Sequence, residues 1–188
     1  MSDMVSDPPS DPDRTAPAAE SRTVPAAESR VVLLAAARAV PDPELPVLTL
    51  GDLGVIRDVR VAGDGAVEVD ITPTYTGCPA TAVIADDVQD ALHRAGADQV
   101  RVRTVLAPAW TTDWMSETGR RKLREYGIAP PGPAAHAVGG PVKLAFSVRC
   151  PHCGSADTRE VSHFGSTPCK ALWTCRSCAE PFDSFKAL

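Results

Sequence analysis

AVEVDITPTYTGCPATAVIADDVQDALHRAGADQVRVRTVL, residues 66–106, alternates, loops, winds and alternates again. Val67, Val69 and Ile71 share one face of an extended segment, with Glu68 and Asp70 outward, the period-two pattern of a half-buried strand. After the loop TPTYTGCP, Val83, Ile84, Val88, Ala91 and Leu92 recur at helical spacing from Pro79 to about Ala95, and Gly96 supplies the stop. Val100, Val102 and Leu106 alternate in a further strand. A strand, a helix and a strand in this order predict a crossover that lays the second strand parallel to the first.

Upstream, Val55, Val59 and Val61 form another alternating run, and Gly63-Asp64-Gly65 separates it from Val67, so the two runs pair as a β-hairpin. Before that, Ser29 is placed to N-cap a short Ala/Val/Leu helix reaching about Ala39. PDPELPV (41–47) carries three prolines, which end the helix and hold Asp42 and Glu44 on a stiff, extended loop. The order α-β-β-α-β gives an α+β fold, a two-layer sandwich over residues 30–127. Trp110 and Trp114 precede a charged patch read as a short surface helix capped by Thr112 or Asp113. Its Glu117/Arg121 and Arg121/Glu125 pairs stand at supportive spacing. IAPPGPAAHAVGGPV (128–142) reads as a linker to a separate unit at 143–188.

Residues 1–29 hold Asp3, Asp7, Asp11 and Asp13 among Pro, Ser and Ala, and PAAESR occurs at 17–22 and again at 25–30. With almost no large apolar side chains, this stretch is expected to be a disordered acidic tail. The 188 residues carry 19 Lys+Arg against 24 Asp+Glu, a formal charge of −5, so there is no general basic field for nucleic acid or an anionic membrane. No apolar run approaches the ~18 residues of a membrane span, and the acidic start is unlike a signal peptide, so a cytoplasmic location is expected.

Of six cysteines, five follow position 149. CPHC (150–153) and CRSC (175–178) bring sulfurs together in pairs, and two such turns supply the four thiolates that tetrahedral zinc takes at Zn–S near 2.3 Å. Cys150, Cys153, Cys175 and Cys178 are therefore expected to hold a structural zinc ion; iron in the same cage is chemically possible. Val161, Phe164, Leu172 and Trp173 between the turns suit a β-hairpin, and metal binding substitutes for the core that so short a unit lacks. Cys169 is a further thiol, read as a small, partly buried residue or as an exchange ligand beside the cage. His152 and His163 read as solvent-facing, and His93 and His136 have no recognisable partner in the sequence.

Cys78 stands alone in the first domain. Pro79 suits the first helical position, which would place Cys78 at the N-cap, its sulfur facing unpaired N–H groups that favour thiolate. A Cys filling space is the alternative. Asp42 and Glu44 are solvated loop charges on one reading; on the other they lie near Cys78 as oxygen ligands or a proton acceptor.

Taken together, DPELPV (42–47), DLGVIR (52–57), PTYTGCPA (73–80), PAWTTDWMSETGRRKLREYGIAPP (108–131) and the tail CPHCGS…FGSTPCKALWTC…EPFDSFK resemble the D subunit family of bacterial phenylacetyl-CoA epoxidase, from about Val31 to Leu188. The first half also resembles the wider MIP18-like group of iron–sulfur assembly factors, including the SufT type. The resemblance implies a MIP18-like domain followed by a zinc β-ribbon, in an accessory subunit that is not itself catalytic. Its implied task is to help install or repair an iron–sulfur or iron centre in the oxygenase or reductase subunits. Cys78 matches the group's reactive cysteine, Asp42 and Glu44 its acidic loop, the four ribbon cysteines the metal ligands, and Cys169 the additional thiol of STPCKAL. The acidic N-terminus is outside the pattern.

Two other classes fit the residues less well. A thiol enzyme with Cys78 as nucleophile wants a positioned base, and no His or Asn is tied to it. A nucleic-acid-binding ribbon wants positive charge, and residues 143–188 set six Lys/Arg against four Asp/Glu. Epoxidase subunits, with neither nucleic acid nor membrane, are the expected partners.

Overall fold

A computed structural model describes residues 26–132 and 148–187. The expected tail up to Pro25, most of the expected linker and His136 lie outside the described residues.

The first layer is a three-stranded sheet in the order β1-β2-β3, built from β1 (Ile56–Val61), β2 (Val67–Ile71) and β3 (Val100–Thr104). β1 and β2 pair antiparallel as the hairpin, and β3 lies parallel to β2 with Val67 beside Val100 and Ile71 beside Thr104. Val59, Val69 and Ile71 are fully buried on the inner face. Asp70, expected outward, is 9% exposed because Arg60 and Arg103 fold over it at 2.7 and 2.9 Å. Those two guanidiniums, Arg60 first, hold its carboxyl below the usual range against the effect of burial.

The second layer holds α1 (Ala26–Ala39) and α3 (Thr81–Arg94). Leu33 and Ala37 of the first, and Ile84, Val88 and Leu92 of the second, enter the core. The first helix begins at Ala26, so Ser29 is inside it, not its cap. Val83, read as part of the apolar face, is 48% exposed.

A further helical turn, α2 (Leu50–Leu53), is not expected from the sequence pattern. Thr49 and Asp52 form a reciprocal capping box, and Gly54 ends the turn at φ 71°. A Cβ at Gly54 would sit 2.5 Å from the Trp114 carbonyl oxygen, so the chain passes there only as glycine. Asp52 also clasps the next element. Burial raises its pKa, but Lys122 Nζ at 2.6 Å, the Thr49 N–H and the Ser116 hydroxyl outweigh that and leave it lowered.

The expected surface helix is two pieces: a 3₁₀ turn, Thr112–Trp114, capped by Thr111, and α4 (Glu117–Glu125), capped by Ser116. Arg121 pairs with Glu125 as expected, while Glu117 takes Arg124 instead of Arg121. Leu123 is fully buried, so α4 is a core-packing helix.

The stretch read as a linker opens with a strand. β4 (Ile128–Ala129) pairs parallel with β7 (Pro181–Phe185), which pairs antiparallel with β6 (Lys170–Cys175), and that in turn with β5 (Thr158–Ser162). This four-stranded sheet is the C-terminal ribbon. Ala129, Ala171, Trp173 and Phe182 pack with Cys150 and Cys175 as its own small core. Ile128, Cys169 and Phe185 instead join the core of the first domain. Trp110 meets Phe185 at 6.0 Å between ring centroids, with its Nε1 donating to the Leu53 carbonyl at 2.9 Å. The two units are therefore docked through shared apolar side chains. Val161 and Phe164, named with Leu172 and Trp173 for the expected hairpin, are 50% and 64% exposed.

Candidate functional site

In the ribbon, the four sulfurs of Cys150, Cys153, Cys175 and Cys178 lie within 4.8 Å of one another. Cys150 Sγ is 3.8 Å from Cys178 Sγ, and Cys153 Sγ is 3.6 Å from Cys175 Sγ. A tetrahedron with Zn–S of about 2.3 Å has edges of about 3.8 Å, so the donor set fits zinc in geometry and chemistry. Backbone N–H groups of Cys178 and Ser177 aim at Cys175 and hold its thiol down, whereas neighbouring sulfurs push Cys178 and Cys153 up. His152 is exposed between two ligands, packed against Gly127, where α4 ends at φ 83°. His163 is exposed and contacts Glu160 at 3.2 Å. His93, with no partner recognisable in the sequence, meets the Ala97 carbonyl oxygen at 2.7 Å.

A second site lies where the ribbon meets the first domain. A cavity of about 10 Å³ is lined by Asp42, Glu44, Thr74, Cys78, Cys169 and Phe185, together with aliphatic side chains that include Leu53 and Ile84. Asp42 is 8% exposed, so the solvated-loop reading does not hold for it. Its Oδ1 accepts N–H groups of Glu44 at 3.0 Å and Leu45 at 2.7 Å, which shapes the proline-rich loop into a turn around the carboxylate. Burial still leaves the Asp42 carboxyl raised. Glu44 is half-buried and also raised, by burial and by Asp42, with Lys170 pulling the other way.

Cys78 is half-buried at the same cavity. It is not the helix N-cap: Ala80 holds that place, Pro79 lies in the preceding turn, and Thr81 is the first residue of α3. The Cys78 carbonyl accepts the Thr81 N–H at 3.2 Å and the Thr81 hydroxyl at 2.8 Å. The sulfur does receive the Ala80 N–H, but burial first, then Glu44 and Asp42, push the thiol up. The expected helix-stabilised thiolate is therefore corrected. The carboxylates that make the place attractive to a cation thus add to burial in raising the Cys78 thiol.

Cys169 is not beside the four-sulfur cage. It is 6% exposed and lines the cavity with Cys78, its Sγ 3.1 Å from Thr167 Oγ1. Burial raises this thiol too, and Glu44 and Asp42 add to the effect. Lys170, next in the chain and 6% exposed, pairs with Asp183 at 2.9 Å. Thr74 and Tyr75 also line an open groove of about 280 Å³ with Leu106 and Trp110.

Comparison with known proteins bears on both units. Residues 30–104 match the family model described as iron-sulfur cluster assembly protein, and residues 136–186 the PaaD zinc beta ribbon domain. A protein of Escherichia coli (strain K12), provisionally named as the D subunit of 1,2-phenylacetyl-CoA epoxidase, is 51% identical over 150 residues, 79% of this chain and 87% of that protein. An Fe-S protein maturation auxiliary factor of Porphyromonas gingivalis is 39% identical over 87 residues, 46% of this chain and 82% of that protein. The crystal structure of a domain of unknown function from Bacillus anthracis, 28% identical, covers 52% of this chain and 92% of its own, with a TM-score of 0.48.

Proposed function

The chain belongs to the D-subunit family of phenylacetyl-CoA epoxidase, in which an iron–sulfur assembly domain carries a zinc ribbon, and from this premise we propose that it is an accessory subunit that loads iron into its partner subunits. The observation that carries the reading is the cavity that Cys78 lines together with Asp42 and Glu44. A thiol and two carboxylates form a mixed donor set suited to a borderline cation such as ferrous iron. A site that lends its cargo must also let it go. One half-buried thiol and two carboxylates bind more weakly than a closed four-thiolate cage.

The division of labour follows from the two sites. The ribbon's sulfurs are already gathered for a resident zinc, which holds the β-sheet together. Cys78, Asp42 and Glu44 sit under a docked ribbon and act on iron delivered from outside, or on a cluster passed through them. The clients are the oxygenase or reductase subunits of the same epoxidase. Among the described residues no helix is long and apolar enough to cross a membrane, and a cytoplasmic home suits a four-cysteine metal cage.

Growth on phenylacetate tests this. A strain whose only copy is Cys78→Ser should make normal amounts of folded, zinc-bearing protein and fail to grow on phenylacetate. Full complementation by that variant refutes the role of Cys78.

A further inference from the structure

Resting on the reading of Cys78, Asp42 and Glu44 as the transfer site, we propose that the ribbon completes this site with Cys169. Its cargo is then a single divalent cation held between two thiolates and the acidic loop. Cys78 comes from the loop before α3 and Cys169 from the turn before β6, so the ligands belong to two units that meet only by docking. Nothing in the sequence spacing joins them.

The cavity has room for a small cargo. About 10 Å³ is the space of one water-sized sphere. A lone metal ion fits that space as it stands. The donor chemistry narrows the ion further. Thiolates draw softer cations and carboxylates harder ones, so the mixture suits the borderline divalent ions, ferrous iron among them. Loading forms two metal–sulfur bonds and bonds to carboxylate oxygen, and releases the two thiol protons to water without any change of oxidation state. Among the described residues only the ribbon sulfurs are gathered within 4.8 Å, so the cavity donors must draw together around an arriving ion.

The zinc positions Cys169 from a distance. β6 starts at Lys170, directly after Cys169, and ends at the zinc ligand Cys175, a six-residue strand of about 20 Å. At its near end the Lys186 N–H donates to the Cys169 carbonyl at 3.0 Å, and Phe185 is fully buried beside the cavity. Zinc thus fixes one end of the strand and the transfer cavity receives the other.

The test uses the full chain, zinc-loaded and anaerobic, titrated with Co²⁺, whose sulfur-to-metal charge-transfer absorption counts bound thiolates. Zinc is assayed in the same samples. The wild type should bind one Co²⁺ beyond its zinc, with the intensity of two thiolates. Cys169→Ser and Cys169→Ala should keep their zinc, show half that intensity and bind at least about tenfold more weakly, since loss of even an outer-shell partner costs that much. A one-thiolate intensity in the wild type overturns the inference without any variant. Unchanged intensity in Cys169→Ser with loss in Cys78→Ser also overturns it, and leaves the Cys78 reading intact. Absence of Co²⁺ binding, or uptake matched only by zinc release, overturns both.

Discussion

Removing the Phe185 ring should separate the two units without dismantling either. Phe185 is 1% exposed, packs on Trp110 at 6.0 Å and belongs to the core of the first domain, although its strand is part of the ribbon sheet. Truncating a buried Phe to Ala costs about 3–5 kcal/mol. The ribbon keeps Trp173 and Phe182 in its own core, and a structural zinc contributes roughly 10–16 kcal/mol in isolated fingers, so the cost falls on docking. At about 1.4 kcal/mol per factor of ten, 3 kcal/mol raises the undocked fraction about a hundredfold. Cys169, shielded in the docked state, reports that fraction directly. Alkylation of the zinc-loaded protein, followed residue by residue by mass spectrometry, should show Cys169 reacting up to about a hundredfold faster in Phe185→Ala, with zinc retained. Unchanged Cys169 reactivity, or loss of zinc together with the faster reaction, would refute the claim that this ring holds the units together.

Acid should weaken the fold through Asp52 and Asp70. Both carboxyls are lowered in the folded state, so their contribution is present above about pH 4 and is lost as pH falls through the folded values. Asp70→Asn should flatten the loss of stability below pH 4 in denaturant titrations; an unchanged slope contradicts the assignment. Asp42→Asn and Glu44→Gln should each speed alkylation of Cys78 at pH 8 several-fold, because each removes a negative charge that raises the thiol's pKa. Equal or slower reaction contradicts the electrostatic picture. Stripping zinc, or Cys175→Ser, should expose the ring of Trp173, 9% exposed when folded, and red-shift its fluorescence while the first domain stays folded. An unshifted spectrum after verified zinc removal argues against a metal-dependent ribbon.

The parts of this fold that a sequence displays are those governed by short periods. Val67, Val69 and Ile71 mark β2, and Ile84, Val88 and Leu92 mark α3, because each set repeats on the face that is buried. The paired Cys-x-x-Cys turns announce the cage because ligand spacing within a turn is local. α2 is present as the signal Thr49-Leu50-Gly51-Asp52 with Gly54, a capping box too short to show helical periodicity. α3 starts two residues later than Pro79 suggests, because that proline serves the preceding turn, and the cap assigned to Cys78 moves with it. That Cys78 and Cys169 line one cavity is beyond local reading, since it depends on Phe185, Trp110 and Ile128 packing two units against each other. So is the burial of Asp42, set by the turn its own carboxylate organises.

The most direct measurement of the loading role is the iron content of the epoxidase itself, purified from phenylacetate-induced cells carrying either the wild-type chain or Cys78→Ser. The account predicts equal amounts of oxygenase and reductase polypeptides, with iron depleted in one of them when Cys78 is replaced. Full iron occupancy in both, alongside a folded, zinc-bearing variant, would contradict it.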